Sequence, residues 1–215
     1  LNIIMLPDNR KPFCIDMHIH TSQYSECAET LHPQKIEKYA CKAGLDAVII
    51  TEHDTCWKSD EIEKLQKALP NIWVFNGVEV TTRSGCHLVV FGIDELGPLH
   101  KGIGCEEVIR YVHENGGVVF LAHPFRKGLP SLGIIEQFDA IEVGSTSLSL
   151  KESKLSANLA RTLNKPAIGC SDAHALPMIG WAYTQFPSWP ENVSDLCRMV
   201  KEGLGEAVFP NPFRN

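Results

Sequence analysis

The chain alternates short apolar runs with stretches in which apolar residues recur every three or four positions. Residues Phe13 to Ile19, Ala47 to Thr51, Ile72 to Val80, His87 to Ile93, Val118 to Ala122, Phe138 to Val143 and Ala167 to Ser171 are short, apolar and often β-branched. Such runs predict strands buried on both faces. Between them, Pro33 to Ala43 places Ile36, Tyr39, Ala40 and Ala43 on one helical face and stops at Gly44. Asp60 with Glu63 predicts a capping box ahead of Ile62, Leu65 and Leu69. Glu106 to Asn115 turns Val108, Ile109 and Val112 to one side before Gly116-Gly117. Lys151 to Asn164 repeats Leu155, Leu159 and Leu163, and a last helix runs from about Val193 to Glu202 with Leu196 and Val200 apolar.

Alternating β and α segments with doubly buried strands predict an α/β fold with a mainly parallel sheet. An open doubly wound sheet draws its ligand groups from a few strand ends at one switch point. Here nearly every strand end carries a polar, ligand-type residue, which favours a closed barrel with its site at the carboxyl face. Seven strand units fit, whereas a complete eight-unit barrel takes ~250 residues. The expected architecture is therefore a distorted seven-stranded (β/α)7 barrel of TIM-like type, one domain over residues 1–215.

Composition narrows the functional classes. Hydrophobic content of 44% with 21% charged residues is ordinary for a soluble protein, and the longest apolar runs are strand-sized, too short to span a bilayer. Leu1 to Leu6 lack a charged leader and a full apolar core, so no signal peptide is expected. The net charge of −6 counts against a broad nucleic-acid footprint. Acids that ligate cations would be neutralised, however, leaving room for a locally positive site. The eight cysteines form no C-x-x-C pair, so the expectation is reduced thiols in a cytoplasmic protein, with Cys27 and Cys56 closest to the ionisable clusters.

Those clusters change the picture most. They read Asp16-Met17-His18-Ile19-His20, Glu52-His53-Asp54, Glu79 followed by His87, Ala122-His123-Pro124, and Ser171-Asp172-Ala173-His174. Residues two apart in a strand share a face, so Asp16, His18 and His20 are expected to converge, as are Asp172 and His174. Paired imidazoles backed by an acid suit a metal ion. Glu79 closes a strongly apolar run, where a buried acid needs compensation such as a bridging position between cations. Proline after His123 stops a strand and leaves the imidazole at its mouth. Glu142 reads as a buried hydrogen-bonding acid, and His32, His100 and His113 gain no role.

Taken in order, Asp16-Met17-His18-Ile19-His20-Thr21, Thr51-Glu52-His53-Asp54, Gly77-Val78-Glu79, Ala122-His123-Pro124 and Ser171-Asp172-Ala173-His174 resemble the successive motifs of the PHP (polymerase and histidinol phosphatase) superfamily. The match runs from about residue 14 to 186. The resemblance implies two to three divalent ions at the carboxyl end of a seven-stranded barrel. It implies that His18, His20, Glu79 and Asp172 hold the first ion. Glu79 would bridge to a second, completed by His87 and His123. His53 and His174 would hold a third, with Glu26 as its carboxylate. Mixed nitrogen and oxygen donors suit Mn, Zn or Fe.

The implied activity is hydrolysis of a phosphomonoester or small phosphodiester by a hydroxide bridging two cations. Glu79, His123 and Asp172 would sit at the reacting centre, Arg126 would clamp phosphate with Arg83 behind it, and Lys127 reads as surface charge. The expected partner is a small phosphorylated molecule, with nucleic acid admitted only as a short substrate and no membrane. The other readings are a 3′–5′ exonuclease on short ends and a non-catalytic metal-binding regulatory module.

Overall fold

The computed structural model describes residues 11–210. The reading of Leu1 to Leu6 falls outside them. The apolar runs become β1 (Phe13–Ile19), β2 (Ala47–His53), β3 (Trp73–Thr81), β4 (His87–Phe91), β5 (Val118–Leu121), β6 (Ala140–Gly144) and β7 (Ala167–Gly169). Two further strands follow, β8 (Tyr183–Phe186) and β9 (Glu206–Val208). The helices are α1 (Ile36–Ala43), α2 (Ser59–Ala68), α3 (Cys105–Glu114), α4 (Leu132–Ile135), α5 (Leu150–Thr162) and α6 (Val193–Lys201).

All nine strands lie in one sheet, in the order β7-β6-β5-β4-β3-β2-β1-β8-β9. Its ends curl together. Ile19 bridges Ala173 in parallel, and the His20 amide donates to the Ala173 carbonyl at 2.9 Å. Lower down, the Thr184 hydroxyl donates to the Gly169 carbonyl at 2.9 Å and accepts from the Gly169 amide at 3.2 Å. The result is a nearly closed, barrel-like sheet.

Two expectations need correction. Among the described residues the strand count is nine instead of seven, because β8 and β9 are too short and too polar to stand out as apolar runs. The sheet is also mixed: β3–β4, β4–β5, β1–β8 and β8–β9 pair antiparallel. A parallel pair needs a crossover of a dozen or more residues, and the short turn between Thr81 and His87 cannot supply one.

Alternation sorts each strand's residues into two environments. Phe13, Ile15, Met17, Ala47, Ile49, Val89, Phe91, Phe120, Ile168 and Cys170 fill the interior, and Leu196, Cys197, Met199 and Val200 of α6 join that cluster. On the outside, Val78, Val80, Leu88 and Val90 pack with Val108, Ile109 and Val112 of α3. Val48 and Ile50 pack with Ile36 and Ala40 of α1 and Leu65 of α2. Helix α1 is led in by a 3-10 turn over Pro33–Lys35 and ends at Gly44, whose φ of 77° suits a residue without a β-carbon. Helix α2 begins at Ser59, ahead of the expected start, so Glu61 and not Glu63 accepts the Lys58 amide, at 2.9 Å.

Candidate metal centre

Along β2, β3, β4 and β6 the inward face is apolar toward one end of the barrel and ionisable toward the other. On β2 the inward series Ala47, Ile49, Thr51 ends at His53, while outward Glu52 accepts the Thr21 amide at 3.2 Å and the Trp57 indole at 2.9 Å. On β3, Glu79 faces inward between outward Val78 and Val80. Strand β4 runs the other way, so its first residue, His87, reaches the same end, with Val89 and Phe91 below. On β6, Glu142 follows inward Ala140, and beyond β7, Asp172 continues the series Ile168 and Cys170.

Two irregularities complete the convergence. The β1–β2 register shifts between Asp16 and Ile19, a bulge that puts Met17 and His18 on the same side. His18 and His20 therefore face the centre, but Asp16 does not. Its carboxylate accepts the backbone amides of Ser171 at 2.8 Å and Gly180 at 3.0 Å, which corrects the expected convergence of all three. At other strand ends the backbone enters the left-handed region: φ is 55° at Asp54, 26° at His123, 73° at Phe125 and 51° at Asp172. Such conformations cost of order ~1–3 kcal/mol each and persist where the surroundings demand them. At His123 the twist matters most, because its odd position would otherwise follow outward Val119 and Leu121.

Glu79 and Asp172 lie at the middle. His18 Nε2 is 3.5 Å from Glu79 and 3.3 Å from Asp172, and His20 Nε2 is 3.2 Å from each. His53 Nδ1 approaches the same Glu79 oxygen at 2.9 Å. The other Glu79 oxygen meets His87 Nδ1 at 2.7 Å and His123 Nε2 at 2.8 Å. Three overlapping groups hold donor atoms within 4.8 Å of one another: His18, His20, Glu79 and Asp172; His53, Glu79 and His87; His20, His53 and His174.

Glu79 Oε2 and Asp172 Oδ1 are buried and lack a hydrogen-bond partner, since the imidazoles approach them without hydrogen-bonding alignment. Buried carboxylate oxygens facing imidazole nitrogens, with no donor between them, fit a divalent cation. Without one, the centre neutralises itself. Burial would lower His18, but the charges of Asp172 and Glu79 outweigh it and raise the imidazole well above its usual value. His20 is raised on the same balance. Burial pushes the carboxyls of Glu79 and Asp172 up, and His18 and His20 together pull both below the usual carboxylate range. His174, at the rim, is lowered by burial and by the charge of His20.

Around the centre, Glu142 is fully buried and bonds His18 Nδ1 at 2.9 Å. The Arg126 guanidinium, 42% exposed, donates to the Ser147 hydroxyl at 3.1 Å and lies 3.7 Å from Asp172. Ser147 in turn donates to Asp172. Lys127, which the sequence left as surface charge, brings its ammonium within 3.4 Å of His87 Nε2. Arg83 stays exposed in the β3–β4 turn. Glu26 is not brought in: it is exposed on a 3-10 turn whose buried face belongs to Ser25 and Ala28. Sequence reasoning gave Glu142 a hydrogen bond but not its partner, and it missed Ser147 altogether. Nothing in their spacing ties either to the histidines.

The carboxy-terminal part carries a family signature of its own: residues 152–204 match the model described as "PHP-associated". Over 128 residues the chain is 30% identical to the Methanocaldococcus jannaschii protein MJ1587, spanning 71% of that protein and 55% of this chain. Over residues 152–204 the chain resembles the PHP superfamily. Solved structures share the fold. PsfC from Pseudomonas syringae superposes with a TM-score of 0.69 at 21% identity, over 93% of this chain and 92% of its own. A two-domain Bacteroides vulgatus protein containing a predicted PHP-like metal-dependent phosphoesterase gives 0.69 at 18%, over 94% of this chain and 66% of its own. The lesion-specific endonuclease PfuEndoQ from Pyrococcus furiosus gives 0.62 at 17%, over 92% of this chain and 58% of its own.

Proposed function

We propose that the protein is a metal-dependent phosphoesterase that hydrolyses a phosphomonoester or a small phosphodiester. The observation that carries this reading is the pair of buried, hydrogen-bond-deficient carboxylate oxygens on Glu79 and Asp172, ringed by imidazoles. In this reading His18, His20, Glu79 and Asp172 hold one ion. Glu79 shares a second with His87 and His123, and His53 with His174 serves a third position. Bound divalent ions of the Mn, Zn or Fe type would supply a water-derived nucleophile at neutral pH and neutralise charge on the phosphoryl oxygens. Arg126, held at the mouth by Ser147, would orient a phosphate oxygen by paired N–H donation, with Lys127 adding positive charge from the His87 side. His123 and Asp172 would fix the phosphorus against that nucleophile.

A second reading, action on nucleic-acid ends, draws on the fold shared with PfuEndoQ. The net charge of −6 weighs against an extended strand-binding groove. A panel of phosphomonoesters, dinucleotides and oligonucleotides, incubated with metal-loaded protein, separates these readings and the non-catalytic alternative. Turnover of monoesters or dinucleotides is expected. Preference for oligonucleotides would favour the second reading, and no hydrolysis despite confirmed Mn, Zn or Fe loading would leave only a binding module.

A further inference from the structure

Beside the metal centre, but outside it, lies a pair of thiols that the proposed hydrolysis does not use. Cys86 and Cys105 are buried, at 4% and 5% exposure, and their sulfurs are 3.4 Å apart. Each also contacts the Ser84 hydroxyl, at 3.3 and 3.8 Å, and Ser84 is exposed, so solvent reaches the edge of the pair. The two cysteines differ in anchoring. Cys105 opens α3, whose Val108, Ile109 and Val112 are locked in the outer core. Cys86 closes the turn between β3 and β4, where Arg83 and Ser84 are exposed, and directly precedes His87. The turn closes on itself through bonds from the Thr82 amide and hydroxyl to the Cys86 carbonyl at 3.0 and 2.8 Å. From its tip the Arg83 amide donates outward to the Ile103 carbonyl at 2.9 Å, in the loop that leads into α3.

We propose that Cys86 and Cys105 are a peroxide-sensitive pair whose disulfide draws His87 away from Glu79. One sulfur attacks hydrogen peroxide, taking one oxygen as a sulfenic acid and releasing water. The other thiol then attacks that sulfur, forms the S–S bond and expels a second water. Two thiols lose two electrons and peroxide gains them. The sulfurs must close from 3.4 Å to ~2.05 Å. With Cys105 fixed by its helix, the turn supplies the movement, and the peptide next to it carries the imidazole that sits 2.7 Å from Glu79. Metal–ligand distances keep within ~0.2 Å of their usual values, so a displaced His87 weakens binding of the second ion first.

The coupling rests on the reading of His87 as a cation ligand, whereas formation of the bond does not. The test treats zinc-loaded protein, whose metal is itself redox-inert, with hydrogen peroxide. The expected products are a Cys86–Cys105 linked peptide by mass spectrometry, reversal by dithiothreitol, and loss of zinc that Cys105→Ser prevents. Separate oxidation of the two thiols to sulfinic acids, or no linked peptide, overturns the pair. A linked peptide with full zinc content overturns the coupling and leaves the phosphoesterase reading as it stood.

Discussion

Glu142 acts on the centre without touching it. Its carboxylate fixes one ring nitrogen of His18 and so aims the other at Glu79 and Asp172, an arrangement whose loss typically weakens metal binding ~10–100-fold. Glu142→Ala should raise the dissociation constant of the tightest ion by about that factor in calorimetric titration, and Glu142→Gln, which keeps an acceptor oxygen, should recover most of it. Equal affinity in Ala and wild type would remove Glu142 from the centre. Asp16 shows the opposite case. A period of two groups it with His18, yet the bulge after it turns His18 inward and leaves Asp16 outward between inward Ile15 and Met17. Burial lifts its carboxyl to about 6 despite amides donated by Ser171 and Gly180. Asp16→Ala should cost about 1–3 kcal/mol for each orphaned amide while leaving metal stoichiometry unchanged. Urea denaturation and metal analysis read the two effects separately, and lost metal at unchanged stability would make Asp16 a ligand after all. At this scale the sequence shows which residue types meet but not which way a bulged strand aims them.

At the scale of elements, the long apolar strands and amphipathic helices were legible because burial on both faces leaves little polar ambiguity. Strands β8 and β9 were not, since only Thr184 and Phe186 of their seven residues are buried, too few to make an apolar run. The direction of β4 was readable in principle from the short turn before it, and that direction is what allows a residue at a strand's start to share a site with residues at strand ends. Helix α6 fills the interior beneath the centre with a fully buried Leu196. Truncating it leaves a cavity, so Leu196→Ala should destabilise by about 2–5 kcal/mol. Because α6 contributes no ligand, metal content per folded molecule should not change. A drop in metal content with normal stability would mean that the helix positions the ligands instead of supporting the barrel.

For the whole molecule, the same groups stabilise the fold in two incompatible ways. In the metal-free protein, His18 and His20 are raised, so their contribution is complete below the unfolded value of about 6.5 and disappears as pH climbs through their higher folded values. Glu79 and Asp172 are depressed, so their contribution is present above about 4 and is lost only as acid reaches their lower folded values. Raising the pH from about 6 upward thus lowers metal-free stability, because the unfolded chain gives up imidazolium protons that the folded centre still holds beside its carboxylates. Metal binding needs those same imidazoles neutral and releases their protons, so affinity rises over the same interval. Since a ligand stabilises in proportion to the logarithm of its concentration over its dissociation constant, the rising affinity alone sets the gap between loaded and metal-free protein. The difference in melting temperature between metal-loaded and chelator-treated protein should therefore widen steadily from about pH 6 to pH 8.5. A constant or narrowing difference would mean that protons and cations do not compete for these imidazoles, and the proposed ligand set would fall with it.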